Sequence, residues 1–525
     1  MKRKMTDFLR SWKADPRKKG LVIVGARQIG KTYVVDEFGR SEYDHYLKID
    51  LDGSESSRRM FRRSIQADDL LDEIRLINPS FKVVPGHSLL FLDEIQTCPD
   101  ARAAIKPLVQ DGRVDVIASG SLLGTLGLKR ADDEGIYWNT DDWTHTGFGE
   151  YVHNGESESL DESVETERSQ ATIRETLDEG RKRLRPVGYE DMVRMFPLDF
   201  EEYLWALGYS SEQTTSIRNH FANRVPFSDS TLEALEGFYR QYVVVGGMPD
   251  AVLESLANDH AGVMGVHSRI NDGYSHDILE YAPSDLRDRV YGCISAIPRN
   301  MKRRSRKFRF SDANGKENVG WREYADPLSW IDSSGMVTVC SSVTEPCRPL
   351  RTNVGRDFKI YMGDTGLLLE RLDASDYRAV LSSENGINVG GITENAVANM
   401  LERCGIDLFY FERDRVGPDG TRDRIEVDFI VDLGPDMTAI EVKSGSNRAS
   451  RSFNKIRTDP RYSQYPITRF IRLSPGNILV DGNGVEHYPL FAAAFMDSMY
   501  EAQKVDYKGY EPLDLRIGPD PRRRG

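Results

Sequence analysis

Gly25-Ala26-Arg27-Gln28-Ile29-Gly30-Lys31-Thr32 has the residue types and spacing to hold a phosphate. The glycines let backbone N–H groups wrap an anion, and a helix opening at Thr32 offers its positive end. Lys31 would reach the β- and γ-phosphates of a nucleotide, and the Thr32 hydroxyl would ligate Mg2+. The flanks agree. Leu21-Val22-Ile23-Val24 suits a buried parallel strand, and Thr32 to Phe38 can start the helix. A second constellation lies 68 residues beyond Gly25, where Ser88 to Gln96 forms an apolar run closing on Asp93 and Glu94. A strand buried on both faces exposes charge only at its end, which is where a nucleotide sits in an open α/β sheet. Asp93 would hold Mg2+ through water, and Glu94 would polarise the attacking water. Taken alone, Asp-Glu after an apolar run could equally cap a helix. A third run, Val114 to Ala118, ends in Ser119-Gly120-Ser121. A hydroxyl of Ser119 or Ser121, or a backbone group there, could sense a γ-phosphate.

Chemistry of another kind sits near the far end. In Ala439 to Lys443 the period of two puts Glu441 and Lys443 on one face and Ile440 and Val442 on the other. Asp428 ends a similar alternation, with Val427 and Phe429 facing a core. If the two strands pair, Asp428, Glu441 and Lys443 converge. Two carboxylates could then hold a divalent ion, and the lysine could stabilise hydroxide or phosphate charge. That is the logic of the PD-(D/E)XK nuclease core, to which an upstream helix would add Glu394. The same pattern also fits a hairpin with an ordinary charged outer face.

These residues need elements to position them. At 525 residues the chain calls for two to four domains. Residues 1–125 alternate strands and helices, which predicts a parallel sheet. Asp199 can cap a helix with Glu202 three residues on. Residues 230–282 read as helical on both sides of the turn Tyr242 to Pro249, whose glycines and proline serve either a simple break or a close backbone approach. In 284–375, helices followed by a strand and wing-like loops suggest a winged helix. Its basic run, Arg299 to Arg309, is either a solvated face or a phosphate contact.

The net charge of −13 is concentrated. Residues 131–180 hold 15 Asp/Glu against Arg168 and Arg174, so the remaining chain balances at 68 against 68. Global acidity therefore does not exclude nucleic acid. The acidic stretch reads either as a lid or as a solvated loop. No apolar run reaches membrane-spanning length, so no membrane contact is expected. Five scattered cysteines without a Cys-x-x-Cys pair make a reduced cytoplasm the simplest setting.

With these residues in place, the chain resembles the prokaryotic AAA+-type ATPases whose C-terminal part is a domain of unknown function related to PD-(D/E)XK nucleases. The resemblance rests on Gly25–Thr32, Leu89–Gln96, Ser119–Leu123, Pro197–Leu204, Gly246–Pro249, Phe358–Leu368, Glu394, and Glu426–Phe429 with Ile440–Lys443. Its most specific parts are the Gly-Gly-Met-Pro turn and the Lys-x-Tyr…Asp-x-Gly-Leu-Leu segment. It implies an α/β architecture: a P-loop NTPase parallel sheet over 1–210, from whose usual pattern this chain departs by the long acidic insertion at 128–188, then a helical lid at 211–283. A winged helix at 284–380, a PD-(D/E)XK-like domain at 381–505 and a flexible tail at 506–525 would follow. ATP and Mg2+ are the implied cofactors. The Gly-Gly-Met-Pro turn looks like a Gly-x-Pro element that contacts adenine, which implicates Gly247 and Pro249. DNA is an expected partner, as is a protein for the acidic insertion. No arginine finger stands out, and oligomeric activation stays open. Three functions compete: an ATP-driven switch acting on nucleic acid, a signalling ATPase with a catalytically silent protein-binding C-terminal domain, and a metal-dependent nuclease regulated by ATP.

Overall fold

The computed structural model describes residues 1–121, 188–257, 260–303, 306–315, 321–382, 389–416, 422–433, 436–445 and 450–501. The acidic insertion and the tail lie outside the described residues. Five strands, β1 (Gly20–Gly25), β2 (His45–Asp50), β3 (Ser88–Asp93), β4 (Asp115–Ser121) and β5 (Glu190–Arg194), form one sheet in the order β2-β3-β4-β1-β5. Every pairing is parallel. Strands buried on both faces need apolar residues at every position, and Leu21 to Val24 supply them. Leu21 and Ile23 pack with Leu89, Phe91 and Ile117 on one side. Val22 and Val24 pack with Leu90 and Leu92 on the other. Each such side chain removed from water is worth about 1.5–3 kcal/mol. The order brings the ends of β1, β4 and β3 side by side, and these are the ends that carry the sequence motifs.

After β5 the chain turns helical. Asp199 caps Phe200–Ala206 in the expected capping box with Glu202. Helices Asp229–Val245, Pro249–Leu256 and His260–Tyr281 follow, the first two separated by Gly246 and Gly247. Next come helices Arg287–Met301, Phe310–Asn314 and Trp321–Ser334, and the antiparallel hairpin of β6 (Val337–Val343) and β7 (Val354–Met362). This is the element order of a winged helix, but the hairpin is not a free wing. β6 pairs in parallel with β8 (Phe409–Val416), through Ser341 opposite Phe409 and Ser342 opposite Tyr410. The hairpin thereby joins β9 (Arg422–Leu433), β10 (Asp436–Val442), β11 (Ile467–Leu473), β12 (Leu479–Val480) and β13 (Glu486–Tyr488) in one eight-stranded sheet. Its order is β12-β13-β11-β10-β9-β8-β6-β7, so a single sheet runs across the boundary expected at residue 380. Helix Val389–Arg403 is buried along its middle, from Gly391 to Leu401.

The end of the described chain folds back on the first half. Phe491 and Phe495 meet Phe200 and Phe221 ring to ring. Arg218 joins Asp497 at 2.8 Å.

Candidate nucleotide site and a buried charge cluster

The phosphate loop connects β1 to helix Lys31–Glu42. Gln28 and Gly30 both have positive φ, 63° and 89°, which curls the loop. The side chains of Ala26 and Ile29 are buried, so only their backbone can face a phosphate. Lys31 lies back along the loop, its Nζ 2.8 Å from the Ala26 carbonyl and 3.1 Å from that of Gly25. Burial pushes its pKa down to about 8, against the pull of Glu94 and Asp93.

Asp93 is the hub. It is 4% exposed, and the Thr32 hydroxyl donates to it at 3.1 Å. The Ser119 hydroxyl also donates to Asp93, from the intervening strand β4. Ser119, expected to sense a γ-phosphate, thus also fixes Asp93, the expected Mg2+ ligand. Lys48 of β2 stands 2.9 Å from the other carboxylate oxygen. Sequence reading missed Lys48, because its relevance depends on β2 lying beside β3. Its one signal is the alternation that puts Lys48 and Asp50 on one face of β2. Glu94 follows at φ 56° and ψ 50°, a left-handed conformation rare outside glycine. Gln96 donates to Glu94 and accepts from the Ser121 backbone N–H at 3.2 Å, tying the ends of β3 and β4 together.

The helical region closes over the loop. Arg27 pairs with Asp277 at 2.5 Å and donates to the Tyr281 hydroxyl at 2.7 Å. Burial lifts Asp277 to about 6, and Arg27 restrains the rise. Arg3, buried in the N-terminal helix region, donates to the Ile29 carbonyl at 2.9 Å and pairs with Glu202 at 3.1 Å. Pro249 lies next to Gly30: a Cβ added there would sit 3.6 Å from its ring. Gly247 is needed for a contact inside the protein. A Cβ on it would fall 2.0 Å from the Leu198 carbonyl oxygen, and its N–H donates to Asp364 at 2.7 Å. Asp364, from the specific Asp-x-Gly segment, also pairs with Arg403 at 3.4 Å.

In the C-terminal sheet the expected residues do gather. Asp428 accepts the Val442 N–H at 2.8 Å, and Glu441 and Lys443 meet at 2.9 Å. Arg472 of β11 takes the other Glu441 oxygen at 2.7 Å. Glu394 is 1% exposed and accepts from Lys359 at 3.0 Å and Tyr361 at 2.7 Å, and Arg306 pairs with it as well. The lysine and arginine partners hold Glu394 below the usual carboxylate range despite its burial. Asp428 goes the other way, up to about 6, because of burial and the nearby Glu394 charge. Among the described residues no three His, Cys, Asp or Glu side chains come close enough to hold a metal ion. The donor set does not fit a divalent ion: the oxygens of Glu394 and Glu441 are taken by cations and a hydroxyl. The expected metal site at Glu394, Asp428, Glu441 and Lys443 is thus a salt-bridged cluster, since basic residues from β7, β11 and the segment after helix Arg287–Met301 reach it first.

A family model described as an AAA domain matches residues 17–134. Residues 17–134 carry an AAA-type domain. Two domains of unknown function, DUF8612 and DUF4143, match residues 237–378 and 389–490. No curated protein matches. Among solved structures, the Walker-type ATPase of Pyrococcus abyssi is 13% identical, over 70% of this chain and 95% of that one, with a TM-score of 0.35. The Orc1 protein of Aeropyrum pernix, solved in complex with DNA, is 11% identical over 72% and 90%, with a TM-score of 0.24. No described helix is long and apolar enough to cross a membrane.

Proposed function

We propose that the AAA domain binds ATP with Mg2+ and hydrolyses it, and that the later domains couple this cycle to nucleic acid. The observation that carries the reading is the meeting of Thr32 and Asp93 at 3.1 Å, with Ser119 fixing Asp93 from between them. Residue types and placement fit Mg2+, which Thr32 would ligate and Asp93 would hold through water. The ion would neutralise phosphate charge as it develops. Lys31 reaches the β- and γ-phosphates. Backbone N–H groups from Ala26 to Thr32 wrap them. Glu94, at the end of β3, orients the attacking water and accepts its proton. Pro249 lies beside Gly30 of the loop and would meet the base, whereas Gly247 serves by holding the turn against Leu198 and Asp364.

A second reading, a signalling ATPase whose C-terminal domain binds protein and is catalytically silent, has one observation in its favour. The basic run is largely committed within the protein: Lys302 to Asp373 at 2.7 Å, Arg303 to Asp312, and Lys307 to Asp357 at 2.9 Å. ATP turnover by the whole chain across a panel of DNA and RNA separates the two. Stimulation by nucleic acid supports the first reading, and a rate indifferent to every member of the panel leaves the second.

A further inference from the structure

The cluster around Glu394 goes beyond the ATPase reading. Lys359 belongs to β7, in the hairpin that precedes the C-terminal domain, where it lies opposite Cys340 of β6. Its side chain is 2% exposed, and its Nζ lies over the Tyr410 ring, 4.9 Å from the centre. An ammonium that deep is costly without partners. Burial acts to lower its pKa, yet Glu394 and Asp428 together raise it above the ordinary lysine value. Its counter-charge is Glu394 at 3.0 Å, the carboxylate that the upstream helix would add to a nuclease core of this kind. Around the cluster the cations Arg306, Lys359, Lys443 and Arg472 stand against the carboxylates Glu394, Asp428, Glu441 and Glu426. A divalent ion would have to displace these cations from their carboxylates, at a dielectric far below that of water.

We propose that Lys359, assisted by Arg306, takes the place of a divalent ion at Glu394 and Asp428, so that the C-terminal core is a metal-independent charge cluster. The Lys-x-Tyr part of the specific segment then has a defined task. Lys359 brings the cation and Tyr361 completes the hydrogen bonding of Glu394. A metal-dependent nuclease at these residues is excluded as long as the lysine is in place.

The test is Mn2+ binding to the whole chain without nucleotide, followed by the paramagnetic resonance of the free ion. All chains carry Asp93→Asn, so that the AAA domain contributes no ion. With Lys359 present, Asp428→Asn is expected to leave the number of bound ions unchanged. Lys359→Met, which keeps the length of the side chain and removes its charge, is expected to gain about one Mn2+ per chain, lost again when Asp428→Asn is added. Loss of an ion on Asp428→Asn in the chain that retains Lys359 would overturn the proposal, and this comparison decides even if Lys359→Met fails to fold. A Lys359→Met chain that folds and gains no ion would overturn it too.

Discussion

Lys31 and Glu94 have separable duties. Lys31 lies against its own loop carbonyls, so its ammonium is already desolvated before any phosphate arrives. Lys31→Ala removes a charged donor from the β- and γ-phosphates, and nucleotide affinity should fall at least about tenfold. Glu94→Gln keeps shape and hydrogen bonding but lacks a base. Binding should persist while turnover falls by roughly a hundredfold or more. Fluorescent-nucleotide titration and phosphate release measure the two effects. Equal turnover in Glu94→Gln and the parent would move the water-orienting role to another side chain. Thr32 and Asp93 were legible in the sequence because each ends a motif whose context is local. Lys48 and Gln96 were not, since their meaning depends on which strand lies beside β3. The contact between Ser119 and Asp93 was hidden for the same reason: β4 sits between β1 and β3, so the hydroxyl faces Asp93.

Helix His260–Tyr281 is tied to the phosphate loop by one ion pair, Arg27 to Asp277. The native chain holds the Asp277 proton more tightly than an unfolded one, up to about 6 from an ordinary 3.8. The folded state therefore binds more protons within that window, and the stability owed to this group declines as pH rises through it. The loss levels off as pH rises past about 6, where the ion pair becomes charged. Asp277→Asn does not titrate. Its melting temperature should gain on the parent's from pH 4 to 6 and run parallel above, while nucleotide affinity above pH 6 responds to the lost Arg27 tether. A difference in melting temperature that stays flat across the window would show that Asp277 ionises normally. Period-two and period-3.6 patterns made β9, β10, β11 and helix Val389–Arg403 readable in advance. The capping box at Asp199 was equally plain. Pairing between β6 and β8 was hidden, because alternation within a strand tells which face is buried and says nothing of its neighbours.

At the scale of the molecule, the AAA domain and the C-terminal sheet are joined by buried polar contacts. Arg194 of β5, in register with Val24 just before the phosphate loop, pairs with Glu402 at 2.9 Å. Glu402 lies on the helix that carries Glu394. Arg403, next to it, donates to the Leu198 carbonyl at 2.9 Å and to that of Gly363 at 3.0 Å. Asp364 links the same region to Gly247. A chain with these contacts has little freedom to reorient one part without the other. The segments that the resemblance marks as most specific are the joints: Gly247 of the turn and Asp364 of the second segment meet across them.

The parallel pairing of β6 with β8 has a practical consequence for dissection. An isolated piece beginning at residue 381 would leave β8 with one unpaired edge and its row of backbone donors and acceptors open to other chains. Phe409 and Phe411 would lose the cover of Val343 and Leu350, adding an apolar patch beside that edge. Glu394 would lose Lys359, Tyr361 and Arg306 together, leaving a carboxylate buried without its counter-charges. Such a piece should self-associate on size-exclusion chromatography, whereas one that retains the hairpin with its three preceding helices should elute as a smaller, discrete species. Any ion-dependent cutting by the shorter piece would then belong to an acidic site opened by the truncation, a chemistry the intact chain keeps neutralised.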